Sequence, residues 1–212
     1  MPNPITLRPA TPEDSAAVAA LLVQLYAAEI PGALTGPLQA QRALLRYTLE
    51  AERHAGLRGR YVAEDASGSI VGAAGVRLPS EPAVQRAPAG TIRMAYTLLG
   101  YAAATRMVGT LARSMVAHAP PLPAEHAYVH GVVVDQAQRG RGLGLAIMQW
   151  LEEHLREAGL AGVQLQVIID NTSARRLYER LGYRVVGRSP RWLDRLTFPT
   201  NTMLKALQIA QA

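Results

Sequence analysis

The sequence predicts a mixed α/β fold in which strands and helices alternate around one sheet. Three observations carry this expectation. The run Val132-Val133-Val134 is β-branched and reads as a buried strand. It breaks at Asp135 into a loop with glycines at 140, 142 and 144, and a helix-period stripe of Leu143, Ile147, Leu151 and Leu155 follows at once. Val163 to Ile169 alternates as a second strand, then leads into a helix that Asn171 or Thr172 can cap and that Gly182 can close. Shorter strand and helix patterns alternate through the first half of the chain.

Taken in order, Ile5 to Arg8 alternates and predicts a first strand. Thr11-Pro12-Glu13-Asp14 reads as a helix start, with proline at the first helical position and acids in the first turn. Ala16 to Ala28 is helical, its apolar face formed by Val18, Leu21, Leu22 and Leu25. Pro31-Gly32 and Gly36-Pro37 punctuate a loop, and Leu38 to Arg53 predicts a second helix. Tyr61 to Glu64 and Ile70 to Arg77 predict a hairpin turned through Ser67-Gly68. Residues 79–125 are far longer than an ordinary connection. Prolines bound this segment on both sides. Between them Thr91 to His118 is helix-like, expected to break or bend near Gly100 and Gly109, with Ile92, Ala95, Leu99, Ala103, Val108, Leu111 and Met115 as its apolar stripe. Three roles stand open for it: a packed helical insertion covering the sheet, a pocket wall or lid lined by Tyr96, Tyr101 and Arg106, or a dimer surface. Tyr183 to Val186 and Thr202 to Ala206 predict the last two strands.

A chain of 212 residues can bury one substantial core, and no linker or repeat divides it, so residues 1–212 are expected to form a single domain. It holds no cysteine, which excludes disulfides and a thiol nucleophile. Met1 to Ser15 lacks a basic stretch followed by an apolar core, and no apolar run approaches the ~20 residues of a membrane span. A soluble cytoplasmic protein without a membrane partner is expected. The net charge is +6, and Lys205 is the sole lysine. The sequence lacks a basic helix with base-reading residues, a zinc motif and an aromatic RNA platform, so no nucleic-acid partner is expected. His126 and His130 lie too far apart along a strand to share a metal, and none is expected. No Gly-x-Ser-x-Gly elbow is present.

The loop 135–144 has the chemistry of an anion site. A glycine loop opening a helix presents unpaired N–H groups at the positive end of the helix dipole. Arg139 and Arg141 add forked donors. The spacing excludes two relatives of this logic: no Lys-Ser/Thr pair follows the last glycine, and no glycine or alanine stands where a dinucleotide fingerprint needs it. The alternative reading is a glycine-rich turn before an amphipathic helix.

Two motifs resolve the choice. Arg139-x-x-Gly142-x-Gly144 after a hydrophobic strand resembles the pyrophosphate loop of the GNAT N-acetyltransferase superfamily. Downstream, Asn171-Thr172-Ser173-Ala174-Arg175-Arg176-Leu177-Tyr178-Glu179-Arg180-Leu181-Gly182-Tyr183 resembles the superfamily's second signature. The resemblance covers most of residues 3–206. It implies a GNAT fold: a central mixed, twisted sheet of about six to seven strands flanked by helices, here with a helical insertion between strands 3 and 4. It also implies acetyl-CoA as co-substrate and acetyl transfer to a primary amine, of a small molecule or peptide, by direct attack in a ternary complex. The fourth strand (Val132, Val133, Val134) would splay from the fifth and hold the pantetheine arm and thioester through backbone groups, with an N–H near Val133 polarising the thioester oxygen. Arg139, Gly140, Arg141, Gly142, Leu143 and Gly144 would hold the pyrophosphate, and Asn171 and Ala174 would contact the cofactor.

The resemblance places Tyr178 near the cofactor sulfur as proton donor, against the plainer reading of a core tyrosine. Some members use a glutamate early in the fourth strand as base. Here Glu125 stands too early and the strand holds none. His130 has a suitable unperturbed pKa, and alternation would put it on one face with Tyr128, Val132 and Val134. A satisfied strand histidine is the competing reading. The acceptor would lie against Glu29 to Pro37, Tyr128 to Val132 and Arg188 to Pro199. Glu29 and Asp194 could attract an amine, and Arg191 and Arg195 a carboxylate, so amines, amino acids, antibiotics and peptides all stay open, as does a homodimer. The rival function is a non-catalytic acyl-CoA-binding regulatory module.

Overall fold

The computed structural model describes residues 5–82, 87–116, 121–194 and 198–207. Seven strands, β1 (Ile5–Pro9), β2 (Arg60–Asp65), β3 (Ile70–Arg77), β4 (His126–Val134), β5 (Gly162–Ile168), β6 (Arg184–Arg188) and β7 (Thr200–Ala206), form one sheet. Their order is β1-β2-β3-β4-β5-β7-β6. Every neighbouring pair is antiparallel except β4 and β5. A parallel pair needs a crossover, and α5 (Leu143–Glu157) supplies it. The other helices are α1 (Ser15–Glu29), α2 (Leu38–His54), α3 (Thr91–Leu99), α4 (Tyr101–Val116) and α6 (Thr172–Arg180).

The helices cover opposite faces of the sheet. The stripe Leu143, Ile147, Met148, Leu151 and Leu155 of α5 packs on Val129, Val163, Leu165 and Met203, and Tyr178 and Leu181 join the same cluster. On the other face Val18, Leu21, Leu22 and Leu25 of α1 and Leu45 and Leu49 of α2 pack on Val62, Ala73 and Val133. Before α1 the chain takes a capping box: the Thr11 N–H donates to the Asp14 carboxylate at 2.8 Å. Near the other end of the sheet, Lys205 of β7 reaches Glu152 of α5 at 2.5 Å and lies 5.8 Å from the Tyr183 ring.

Strand β4 begins at His126, earlier than its branched run, and carries a bulge. Ala73 pairs with Val133 but Gly75 pairs with His130, so two steps on β3 oppose three on β4. Gly131 takes the left-handed φ of +59° that the bulge requires. The extra residue reverses the alternation. Val129 faces α5, whereas Val133, an even number of residues on, faces α1. Tyr128 and His130 therefore share the α1 face, while Val132 and Val134 pack on the α5 side. The single face expected for Tyr128, His130, Val132 and Val134 is corrected by this bulge.

The insertion is two helices that turn at Gly100, where φ is +78°; α4 runs unbroken through Gly109. Ala95, Leu99, Ala104 and Met107 cluster with Leu44 of α2 and with Leu34, and no strand residue joins them. The segment is a packed insertion, but it braces α2 and the loop after α1 instead of covering the sheet. Tyr101 is 79% exposed, and its ring lies 5.6 Å from that of Tyr96 on the insertion's outer side. His118 and Arg195 lie outside the described residues.

Leu151 is wholly buried between α5 and the sheet. Leu151→Ala is expected to lower stability by about 2–5 kcal/mol, because a cavity adds to the lost transfer term. Urea denaturation with an unchanged m-value checks this.

Candidate active site

The site begins where two strands part. β4 and β5 pair from His126↔Gly162 to Val129↔Leu165 and no further. Beyond that point β4 stays with β3 up to Val134, and β5 stays with β7 up to Ile168. The backbone of β4 from the bulge to Val134 thus faces a gap on its β5 side, as expected for this strand. A buried backbone edge needs partners, so this edge is suited to an extended, amide-bearing ligand.

The glycine loop stands at the end of the gap. Asp135 accepts from the Ala137 N–H, and Arg139 Nε donates to the Val134 carbonyl at 3.2 Å, which folds the loop back on β4. Gln24 of α1 clamps the same turn: its amide nitrogen reaches Asp135 at 2.9 Å, and its oxygen accepts from the Gln136 N–H at 2.8 Å. The first bond of α5 runs from the Ala146 N–H to the Gly142 carbonyl. The amides of Leu143, Gly144 and Leu145 donate to no acceptor among the described residues. Gly140 and Gly142 have φ of +79° and +81°, and a Cβ at either would meet open space. The cradle is therefore walled by backbone and open above, and it fits a pyrophosphate. Arg141 is braced by Gln138 at 2.8 Å beside it. Gly144 serves packing instead: a Cβ there would lie 3.3 Å from Leu177 of α6.

Across the gap stands α6. Asn171 caps it, its side-chain oxygen accepting from the Ala174 N–H at 3.1 Å, which settles the choice between Asn171 and Thr172. The Asn171 amide nitrogen points to Glu29 at the end of α1, 3.4 Å away. Tyr178, 7% exposed, sits in the α5-side cluster edge-on to Tyr183 at 5.8 Å. Burial, then the charge of Glu29 and the neighbouring Tyr128, push its phenol well above the usual range, so it keeps its proton. Glu29 is itself pushed up by burial, an effect opposed by the Asn171 bond.

On the α1 face of β4, the Tyr128 and His130 rings stack at 6.0 Å. His130 lies over Gly75, where a Cβ would come within 2.4 Å of the imidazole. Tyr128 donates to Gln166 of β5 at 3.2 Å, and Arg77 lies over its ring at 5.1 Å. Burial, then Arg60 and Arg77, hold the acid form of His130 down to about 4. Arg60 bonds the Gly56 carbonyl through Nε, while its Nη1 is buried without a partner among the described residues. Asp194 is already engaged, receiving Arg188 at 2.6 Å.

The structure thus gathers Val132, Val133, Val134, the loop 139–144, Asn171, Ala174 and Tyr178 around one cleft. His130 stands with Tyr128 on the α1 face of β4. Glu29 had a sequence signal as an acid beside the first loop, but its contact with Asn171, 142 positions away, did not. Arg77 and Arg60 were missed. The one available hint was an arginine ending the apolar run of β3.

The model of the GNAT acetyltransferase family matches residues 27–183. A mycothiol acetyltransferase of Parafrankia sp. is 48% identical over 64 residues, 30% of this chain and 19% of that protein. An L-methionine sulfoximine/L-methionine sulfone acetyltransferase of Pseudomonas aeruginosa is 38% identical over 76 residues, 32% of this chain and 44% of that protein. The chain thus spans less than half the length of these curated relatives. Among solved structures, a Corynebacterium glutamicum protein described as histone acetyltransferase HPA2 and related acetyltransferase superposes with a TM-score of 0.63 at 25% identity, over 98% of this chain and 99% of that one. The family match covers well over half of the chain and coincides with the cleft: the chain belongs to the GNAT acetyltransferase family.

Proposed function

We propose that this chain is an acetyl-CoA-dependent N-acetyltransferase that moves an acetyl group to a primary amine by direct attack in a ternary complex, with residues 1–212 working as one domain. The observation that carries this reading is the end of β4–β5 pairing at Val129↔Leu165, which leaves the β4 edge open as far as a glycine cradle with free amides. An extended pantetheine arm can add to the open β4 edge while its pyrophosphate sits on Arg139, Gly140, Arg141, Gly142, Leu143 and Gly144. Asn171 and Ala174 border the arm from α6. Acetyl-CoA supplies the thioester that reacts.

The chain's own groups then have distinct tasks. A backbone N–H near Val133 stabilises the oxygen as negative charge develops on it. The amine nitrogen bonds to the carbonyl carbon, the carbon–sulfur bond breaks, and the electron pair leaves on sulfur. Tyr178 donates to that sulfur. Its raised pKa keeps the donor in place but makes a lasting phenolate costly, so hydrogen bonding to the thiolate is the larger part of its contribution. His130, neutral at physiological pH, accepts the amine's proton and passes it to water. Its weak basicity suits a relay better than a proton store. One acetamide, one thiol and one proton result from each ammonium and thioester.

Calorimetric titration with acetyl-CoA tests the reading first, with ATP as control: micromolar binding supports it, and no binding by folded protein overturns it. Tyr178→Phe is expected to cut kcat by about 10- to 100-fold and to change acetyl-CoA affinity little; an unchanged kcat removes Tyr178 from the reaction. Gly142→Glu places a carboxylate and a Cβ where φ is +81°, and acetyl-CoA affinity should fall by at least about tenfold. Retained affinity would move the pyrophosphate elsewhere. His130 supplies a pH test. An unfolded chain protonates it near 6.5 and the folded one near 4. The unfolded state thus binds more protons between these values. The stability contribution is complete above about pH 6.5 and is lost as pH falls toward 4. In His130→Gln the loss of unfolding free energy between pH 7 and 4.5 should shrink by about 2 kcal/mol relative to the parent. Equal losses in urea denaturation would mean a solvated, charged His130.

A further inference from the structure

The acceptor side of the cleft holds two opposite charges that form no ion pair among the described residues. All 16 acidic side chains lie among the described residues, and none of them forms an ion pair with Arg77. Yet Arg77 is only 7% exposed. Its guanidinium lies over the Tyr128 ring and, among the described residues, makes one hydrogen bond, at 3.4 Å, to the Glu81 carbonyl. A guanidinium carries five donors, and buried ones are ordinarily met by carboxylates. The Glu81 carboxylate is turned away, accepting from the Leu78 N–H at 2.8 Å.

Glu29 is the counterpart. It is half-buried at the end of α1, bonded only to the Asn171 amide and paired with no cation among the described residues. The contacts place the two charges on different elements: Glu29 meets Asn171, the cap of the helix that carries Tyr178, whereas Arg77 lies over the Tyr128 ring on β4. The anionic end of the acceptor side is therefore the end at the start of α6, and the cationic end lies along β3 and β4.

Resting on the acetyltransferase reading above, we infer that the acceptor is an amine bearing its own carboxylate, its ammonium drawn to Glu29 and its carboxylate to Arg77. The polarity matches the chemistry. The nitrogen that must reach the thioester is held at the start of α6, the helix that carries Tyr178, and the carboxylate is anchored beside the Tyr128 ring. A carboxylate can also take the fork of Arg77 bidentately. Gln166, bonded to Tyr128, and neutral His130, stacked on it, add no charge beside that ring.

The test is a set of matched acceptors: L-amino acids with small, aliphatic, aromatic and acidic side chains, their primary amides, and the corresponding decarboxylated amines. Thiol release is followed at saturating acetyl-CoA, and acceptor binding is measured by calorimetry in the presence of coenzyme A. The expected result is a kcat/KM at least about tenfold higher for a carboxylate acceptor than for its amide. In Arg77→Gln that ratio should fall to near one through KM, and Arg77→Lys should recover part of it. Acetyl-CoA titration of each variant establishes that it is folded; if Arg77→Gln is not, Arg77→Lys and the parent's own preference decide. Amides or decarboxylated amines acetylated as well as the amino acids would overturn the inference and leave the acetyltransferase reading standing. So would acetyl-CoA binding with no amino acid bound or acetylated. A preference that survives intact in Arg77→Gln would remove Arg77 from the site. Failure to bind acetyl-CoA would instead overturn the acetyltransferase reading, and the inference with it.

Discussion

The cleft depends on one constraint: β4 cannot keep both neighbours. Its first four residues hold β5 in parallel register, and the bulge at Gly131 then bends the strand so that it follows β3 instead. A local insertion of one residue thereby sets three things together. It opens the β4 edge, aims Tyr128 and His130 at α1, and turns Val132 and Val134 toward α5. The loop at 139–144 is positioned by the same strand end, through Arg139 on the Val134 carbonyl, and by α1 through Gln24.

Most of the architecture was legible in the sequence because it rests on local rules. Branched runs gave strands, the 3.6-residue stripe gave α5, and Asn171 and Gly182 marked the ends of α6. The glycine loop was legible for the same reason, since left-handed backbone at 140 and 142 admits few other residues. The face of His130 was not. A bulge depends on the register of two strands 50 or more positions apart, and period-two alternation assumes none. The insertion was misplaced for a related reason: an apolar stripe says that a helix is covered, not which element covers it. Glu29 carried a sequence signal as an acid beside the first loop, whereas Arg77 became visible only when the fold laid it over the Tyr128 ring.

Burial decides how these groups behave. Asp14 meets Arg8 at 2.6 Å in an ordinary ion pair, whereas Glu29 meets the neutral Asn171 amide and Arg77 the face of the Tyr128 ring. Charges left without a counter-ion in such a setting are expensive.

The last strand carries a consequence for a member of an acetyltransferase family. Lys205, the only lysine side chain, is held by Glu152 over the Tyr183 ring. Every other basic aliphatic side chain is an arginine, whose guanidinium stays protonated at any pH the fold experiences. The described surface can therefore present positive charge to an anion without presenting an unpaired side-chain amine. The bias toward arginine gives the molecule a cationic character in which the one side-chain amine is tied into an ion pair.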